Sequence, residues 1–136
     1  MKIFIICSKR FYKDIPPILE KLEKQGHDCI MPNCYDNPDA EAQSWTGGEK
    51  AHAGFKRKMF SRSRKVTEDV DAVLCLNCEK DGKPNYIGGA TFLELYDAFM
   101  MNKKIFLWND LPQGIFYDEL HGFAPKIIHG DISLII

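Results

Sequence analysis

The chain alternates between short continuous apolar runs and longer stretches in which apolar residues recur at helical spacing. Lys2-Ile3-Phe4-Ile5-Ile6-Cys7 is a continuous run, the signature of a strand buried on both faces, and it stops at the polar turn Ser8-Lys9-Arg10. A helix is predicted from Asp14 to Gly26. Ile15, Ile18, Leu19 and Leu22 share one face, Asp14 is placed to cap the start, and Gly26 closes the end. Pro16 and Pro17 fall in the first turn, where a missing N–H costs little. Asp28 to Met31 reads as a second strand, ended by Pro32. Residues 33–48 lack a period and are rich in Asn, Asp, Pro, Ser and Gly. A connection of that length marks a lid or binding loop, in which Trp45 either covers a ligand or anchors the loop to the core.

Glu49 to Glu68 is predicted as a long helix, with Phe55, Met59 and Val66 on the buried side, joined by Ala51 or Phe60. It carries seven cations, Lys50, Lys56, Arg57, Lys58, Arg62, Arg64 and Lys65, read as a solvated face with phosphate or an acidic partner as the alternative. Ala72 to Asn77 is the third strand. The stretch from Asn85 through Gly88-Gly89 to Phe99 then gives a turn and a helix, leading through Lys103-Lys104 into a fourth strand, Ile105 to Trp108. A short helix near Phe116 to Leu120 and a fifth strand at Lys126 to Ile128 follow. The apolar tail Ile132 to Ile136 is expected to be buried, a second subunit being one candidate cover. Residues 1–136 therefore form one α/β domain. Its open sheet has four or five mainly parallel strands in the order 2-1-3-4-5, a flavodoxin- or Rossmann-like three-layer sandwich.

Composition narrows the function classes. The 136 residues are 45% hydrophobic and 27% charged, with a net charge of -1, a balance that does not suit nucleic acid as a partner. No apolar run approaches the ~20 residues of a membrane span, and no leader pattern is visible, so a cytoplasmic location without membrane attachment is expected. Five cysteines without an export signal argue against structural disulfides. Cys75 and Cys78 form a Cys-x-x-Cys, and Cys29 and Cys34 lie near each other. Cys75 is inside an apolar strand, however, and the pair lacks a strand-to-helix turn, so neither a metal nor a redox cofactor is expected.

In a sheet of this order, ligands bind beyond the carboxyl ends of the strands, at the switch point between strands 1 and 3. That rule gathers Cys7, Ser8, Lys9 and Arg10, then Asn77 and Cys78, and then Gly88 to Glu94. The paired glycines at a helix start allow close approach of a ligand to free amides, and Glu94 is a carboxylate within the first two turns. A hydroxyl, a cation, a glycine turn and a carboxylate suit a phosphorylated sugar or nucleotide.

These stretches resemble the nucleoside 2-deoxyribosyltransferase superfamily. The likeness rests on the opening Lys-Ile-Phe-Ile-Ile-Cys-Ser, on Gly26-His27-Asp28 before Met31-Pro32, and on Asp71-Ala72-Val73-Leu74. It also rests on Gly88 to Ala98 followed by Lys103-Lys104-Ile105, which is similar to the family's Gly-x-Gly-x-x-Glu-Leu-Gly-x-Ala pattern. It covers roughly residues 1–110. The resemblance implies cleavage or transfer at the N-glycosidic bond of a nucleoside or nucleoside 5′-monophosphate. Glu94 would be the nucleophile, and Asn85 or Tyr86 would orient it. Ser8, Lys9, the Gly88 and Gly89 amides and Thr91 would hold sugar or phosphate. A homodimer or larger homo-oligomer is also implied.

The chain departs from the pattern where a family enzyme carries an acid in the helix before the third strand. Ser61-Arg62-Ser63-Arg64 stands there instead. Gly88 replaces the family's Asp or Ser six residues before the nucleophile, and Tyr96 replaces a glycine. Asp69, Asp71 and Glu79 are the unranked candidates for protonating the leaving base. The alternative expectation is a nucleotide- or nucleotide-sugar-binding module without turnover.

Overall fold

Five parallel strands form one sheet in the order β2-β1-β3-β4-β5, and the computed structural model describes all of residues 1–136. The strands are β1 Lys2–Ile6, β2 Asp28–Ile30, β3 Ala72–Cys75, β4 Lys104–Leu107 and β5 Lys126–Ile127. The helices are α1 Ile15–Lys24, α2 Ala40–Trp45, α3 Glu49–Asp69, α4 Gly89–Met100 and α5 Tyr117–Gly122. In register, Phe4 of β1 pairs with both Ile30 and Val73, and Leu74 pairs with Phe106, so the order and parallel sense match the sequence expectation.

Alternation along each buried strand builds two cores. Ile3, Ile5, Leu74 and Phe106 face α1 and the C-terminal segment. Phe4, Ile6, Val73, Cys75, Ile105 and Leu107 face the layer of α3, α4 and α5. Each such side chain contributes about 1.5–3 kcal/mol on burial. Ile132 and Ile135 of the C-terminal segment are buried in the α1-side core, held by Lys104 and Lys126 amines donating to the carbonyls of Ile136 and Leu134. The tail is thus covered within its own chain, with Ser133 and Ile136 left exposed.

Local departures have physical causes. Asp14 makes no side-chain cap, because the cap's usual donors are the second and third helical amides and those residues are Pro16 and Pro17. The chain instead enters α1 through a 3-10 turn, Lys9–Asp14. The 33–48 stretch contains the short helix α2, which lies along α3. Trp45 is 54% exposed and stacks on His52 of α3 at 3.7 Å between ring centroids, so it anchors to a neighbouring helix and not to the core. On α3 itself, Phe55, Met59 and Val66 are half-buried as expected, but Ala51 and Phe60 are exposed. The fully enclosed positions are Ser63 and Thr67.

Candidate functional site

Gly88 and Gly89 open α4 without left-handed backbone. Gly88 is extended, with φ -84 and ψ 173, and a Cβ there would sit 3.2 Å from the Tyr86 hydroxyl. Gly89 faces open space, so the pair serves close packing against Tyr86 and an accessible helix start. The unusual backbone lies just upstream. Asp81, Gly82 and Asn85 have φ of 50, 80 and 57, folding residues 78–86 into a tight loop closed by Tyr86 N–H donating to Cys78 O at 2.8 Å.

Glu94 lies one and a half turns into α4, on the side that meets α3. Ser63 Oγ donates to Glu94 Oε2 at 2.8 Å, and Asn33 Nδ2 donates to Ser63 Oγ at 2.7 Å. Arg62 Nη1 in turn donates to Asn33 Oδ1 at 2.5 Å, while its Nη2 reaches Met31 O at 3.2 Å. Tyr12 OH donates to Asn33 O at 2.6 Å. Every link from Arg62 through Asn33 and Ser63 points its donor toward the carboxylate, so the guanidinium charge is relayed across two neutral side chains and polarises the last hydrogen bond. Glu94 itself makes no salt bridge.

Burial dominates the electrostatics. It pushes the Glu94 carboxyl up to about 7, against the downward pull of the Ser63 hydrogen bond and the Arg62 charge; Asp97, one turn on, adds to the rise and Lys56 opposes it. Although the residue keeps some solvent-exposed surface, its carboxyl end is closely surrounded by protein, which is why desolvation prevails. The charge of Glu94 reaches Cys7, Tyr12 and Cys75, each already raised by burial. The hydrogen-bond chain sets the carboxylate at the carboxyl end of the sheet, where Asn33 follows β2 and Tyr12 follows β1.

Of the residues expected at the site, Thr91 is buried one turn before Glu94 on α4, whereas Cys7 packs on the α1 side of the sheet. Ser8 caps the 3-10 turn, its Oγ accepting from Arg10 N–H at 3.4 Å, and Lys9 is exposed beside it. Asn77 is not free for a ligand. Its amide donates to the carbonyls of Asn109 and Asp110 at 3.1 and 2.8 Å and its oxygen accepts from Asn109 N–H at 2.8 Å, clasping the end of β3 to the end of β4. Asp71 is at the amino end of β3, where its carboxylate accepts from Lys2 N–H at 2.7 Å, so it does not join Glu94. Asp69 pairs with Lys2 at that same end. Tyr86 packs on the α1 side, with the Lys80 ammonium 4.5 Å above its ring, and Asn85 is a left-handed turn residue; Ser63, not these two, holds Glu94.

Ser63 and Asn33 are the site residues that sequence reasoning missed. Ser63 stands in the segment noted for its missing acid, and that segment supplies a hydroxyl donor in place of a carboxyl. All five cysteines are free thiols. Cys7 and Cys75 are buried, Cys7 toward the α1 side of the sheet and Cys75 toward the α3–α4 side. No helix is long and apolar enough to cross a membrane. No protein-family model and no curated protein matches the chain, so the site stands on its own geometry.

Proposed function

We propose that the protein cleaves or transfers the N-glycosidic bond of a nucleoside or nucleoside 5′-monophosphate in the cytoplasm, with Glu94 as nucleophile. The observation that supports this reading is a single carboxylate drawn in at the carboxyl end of the sheet, in no salt bridge and oriented by Ser63. In the first step Glu94 attacks the anomeric carbon, the C–N bond breaks and its electron pair leaves with the base. Water or a second base then releases the sugar. In this reading the Gly88 and Gly89 amides at the start of α4, with Ser8, Lys9 and Thr91, hold the sugar or a 5′-phosphate.

The test is mass spectrometry for free base after incubation with a panel of nucleosides and 5′-monophosphates, beside Glu94→Gln. Free base is expected from wild type and to fall at least about a hundredfold in the variant. Because the nucleophile must be ionised, the rate is expected to climb with pH around a midpoint near 7. Equal base release by Glu94→Gln would sink the reading.

A second reading, nucleotide or nucleotide-sugar binding without turnover, is favoured by one specific observation. Asp71, a candidate donor to the leaving base, sits at the amino end of β3, away from Glu94. Thermal stabilisation by a nucleotide with no base released would select it.

A further inference from the structure

The cations of α3 divide by the direction they face. Lys56 pairs with Glu41 at 3.1 Å and Arg64 with Glu68 at 3.9 Å, whereas Arg57, Lys58 and Lys65 are exposed and in no ion pair. Together with Arg62, these three line an open groove of about 620 Å³ along the flank of α3. They fall on one side of the helix because the positions recur at helical spacing. Gly54, a turn earlier on the same side, keeps that end of the groove open, since a Cβ there would meet nothing within 4 Å. Arg62 stands at the rim nearest the sheet. Its Nη1 donates to Asn33 Oδ1 and its Nη2 to Met31 O, which leaves its other N–H groups for the groove.

The lining selects a class of ligand. It contains no acid, and Val66 is its one apolar side chain. A stable protein partner needs an apolar centre to its interface, and a nucleobase needs a ring to stack on. The groove offers neither. Two guanidinium and two ammonium groups within about 12 Å of helix suit a small anion dense in phosphate, whose oxygens match the planar guanidinium fork two at a time.

We propose that this groove binds a compact anion of the polyphosphate type, and that Arg62 couples its occupancy to Glu94. An anion held by Arg62 offsets the charge that the guanidinium relays through Asn33 and Ser63. It thereby weakens the downward pull on the Glu94 carboxyl, whose titration midpoint moves upward from about 7 when the groove is filled. The other groups around Glu94 do not supply this shift. Cys7, Cys75 and Tyr12 are raised by burial and stay neutral in this range, and Asp97 of α4 and Lys56 of α3 lie outside the groove. The inference is independent of the glycosidic reading, because it needs no nucleoside and no turnover.

Isothermal titration calorimetry with tripolyphosphate at about 50 mM salt tests the site. One anion per chain is expected, with a Kd below about 1 mM. Arg57→Gln with Lys65→Gln is expected to weaken binding at least about tenfold. Lys13→Gln with Lys21→Gln removes the same charge from exposed positions elsewhere and is expected to change it less than about threefold. Circular dichroism confirms the fold of each variant. No binding by wild type, or an equal loss in the two variants, overturns the site, and a hexaglutamate peptide that binds as tightly as tripolyphosphate overturns the phosphate assignment. The coupling is read by NMR titration of Glu94 with and without saturating tripolyphosphate. An upward shift of at least about 0.3 pH units is expected in wild type and a smaller one in Arg62→Gln. An unmoved midpoint in wild type, or an equal shift in Arg62→Gln, overturns the role given to Arg62.

Discussion

Ser63 and Glu94 show why one hydrogen bond sets two measurable properties. Folding raises the Glu94 carboxyl from its ordinary 4.5 to about 7, so the fold favours the protonated form. The associated stability is full below about pH 4.5, declines as pH rises and is gone above about 7, a swing of up to about 3 kcal/mol. Glu94→Gln is accordingly expected to be more stable than wild type at pH 8 by up to about that amount, and to lose its advantage near pH 4. Urea unfolding at the two pH values checks the sign. Ser63→Ala removes the one direct hydrogen bond to the carboxylate, and is expected to cost about 1–3 kcal/mol at pH 8 and to move the carboxyl's titration midpoint upward, readable by NMR. At Asp14 the same reasoning gives a small effect. Its cap is absent, so Asp14→Ala is expected to change stability by less than about 0.5 kcal/mol in a thermal melt, where a working cap would cost about 1 kcal/mol. Glu94 drew attention in the sequence because a carboxylate follows a glycine turn within the first two turns of a helix. Ser63 and Asn33 did not, because a serine inside a cationic helix and an asparagine in a loop acquire meaning only when β2 and α4 bring them together.

Among the elements, the strands were legible because continuous apolar runs leave little choice, and α4 because a turn signal precedes a full helical period. The inner face of α3 was misread in part. Hydrophobic periodicity draws attention to Ala51 and Phe60, while the helix turns Ser63 and Thr67 inward, with Thr67 Oγ donating to Ser63 O at 2.7 Å. Small polar residues satisfied within their own helix can occupy a core position without an apolar signature. Asn77 is the corresponding case at a strand end. Its position beyond β3 suggests ligand contact, yet its side chain belongs to the loop that ends β4. Asn77→Ala is expected to cost about 1–3 kcal/mol in urea unfolding, since it removes three hydrogen bonds that clasp residues 109–110 to the end of β3.

For the molecule as a whole, chain order and crossover rules yielded the parallel sheet and its strand order, because short strands joined through helices admit few arrangements. Those rules do not say what covers the C-terminal tail, whose Ile132 and Ile135 are buried in the α1-side core of its own chain. Nor do they reveal that α3 outruns the sheet. Its 21 residues span about 31 Å, whereas the longest strand has five residues and spans about 17 Å. The half of α3 near Glu49 therefore rests on little besides α2, through the Trp45–His52 stack, the Ser44–His52 hydrogen bond and the Lys56–Glu41 pair. That hairpin is a separate cooperative unit in waiting. Its amides from about residue 40 to 56 are expected to exchange with deuterium through a local opening, well ahead of those around Ser63 and Thr67, which wait on global unfolding.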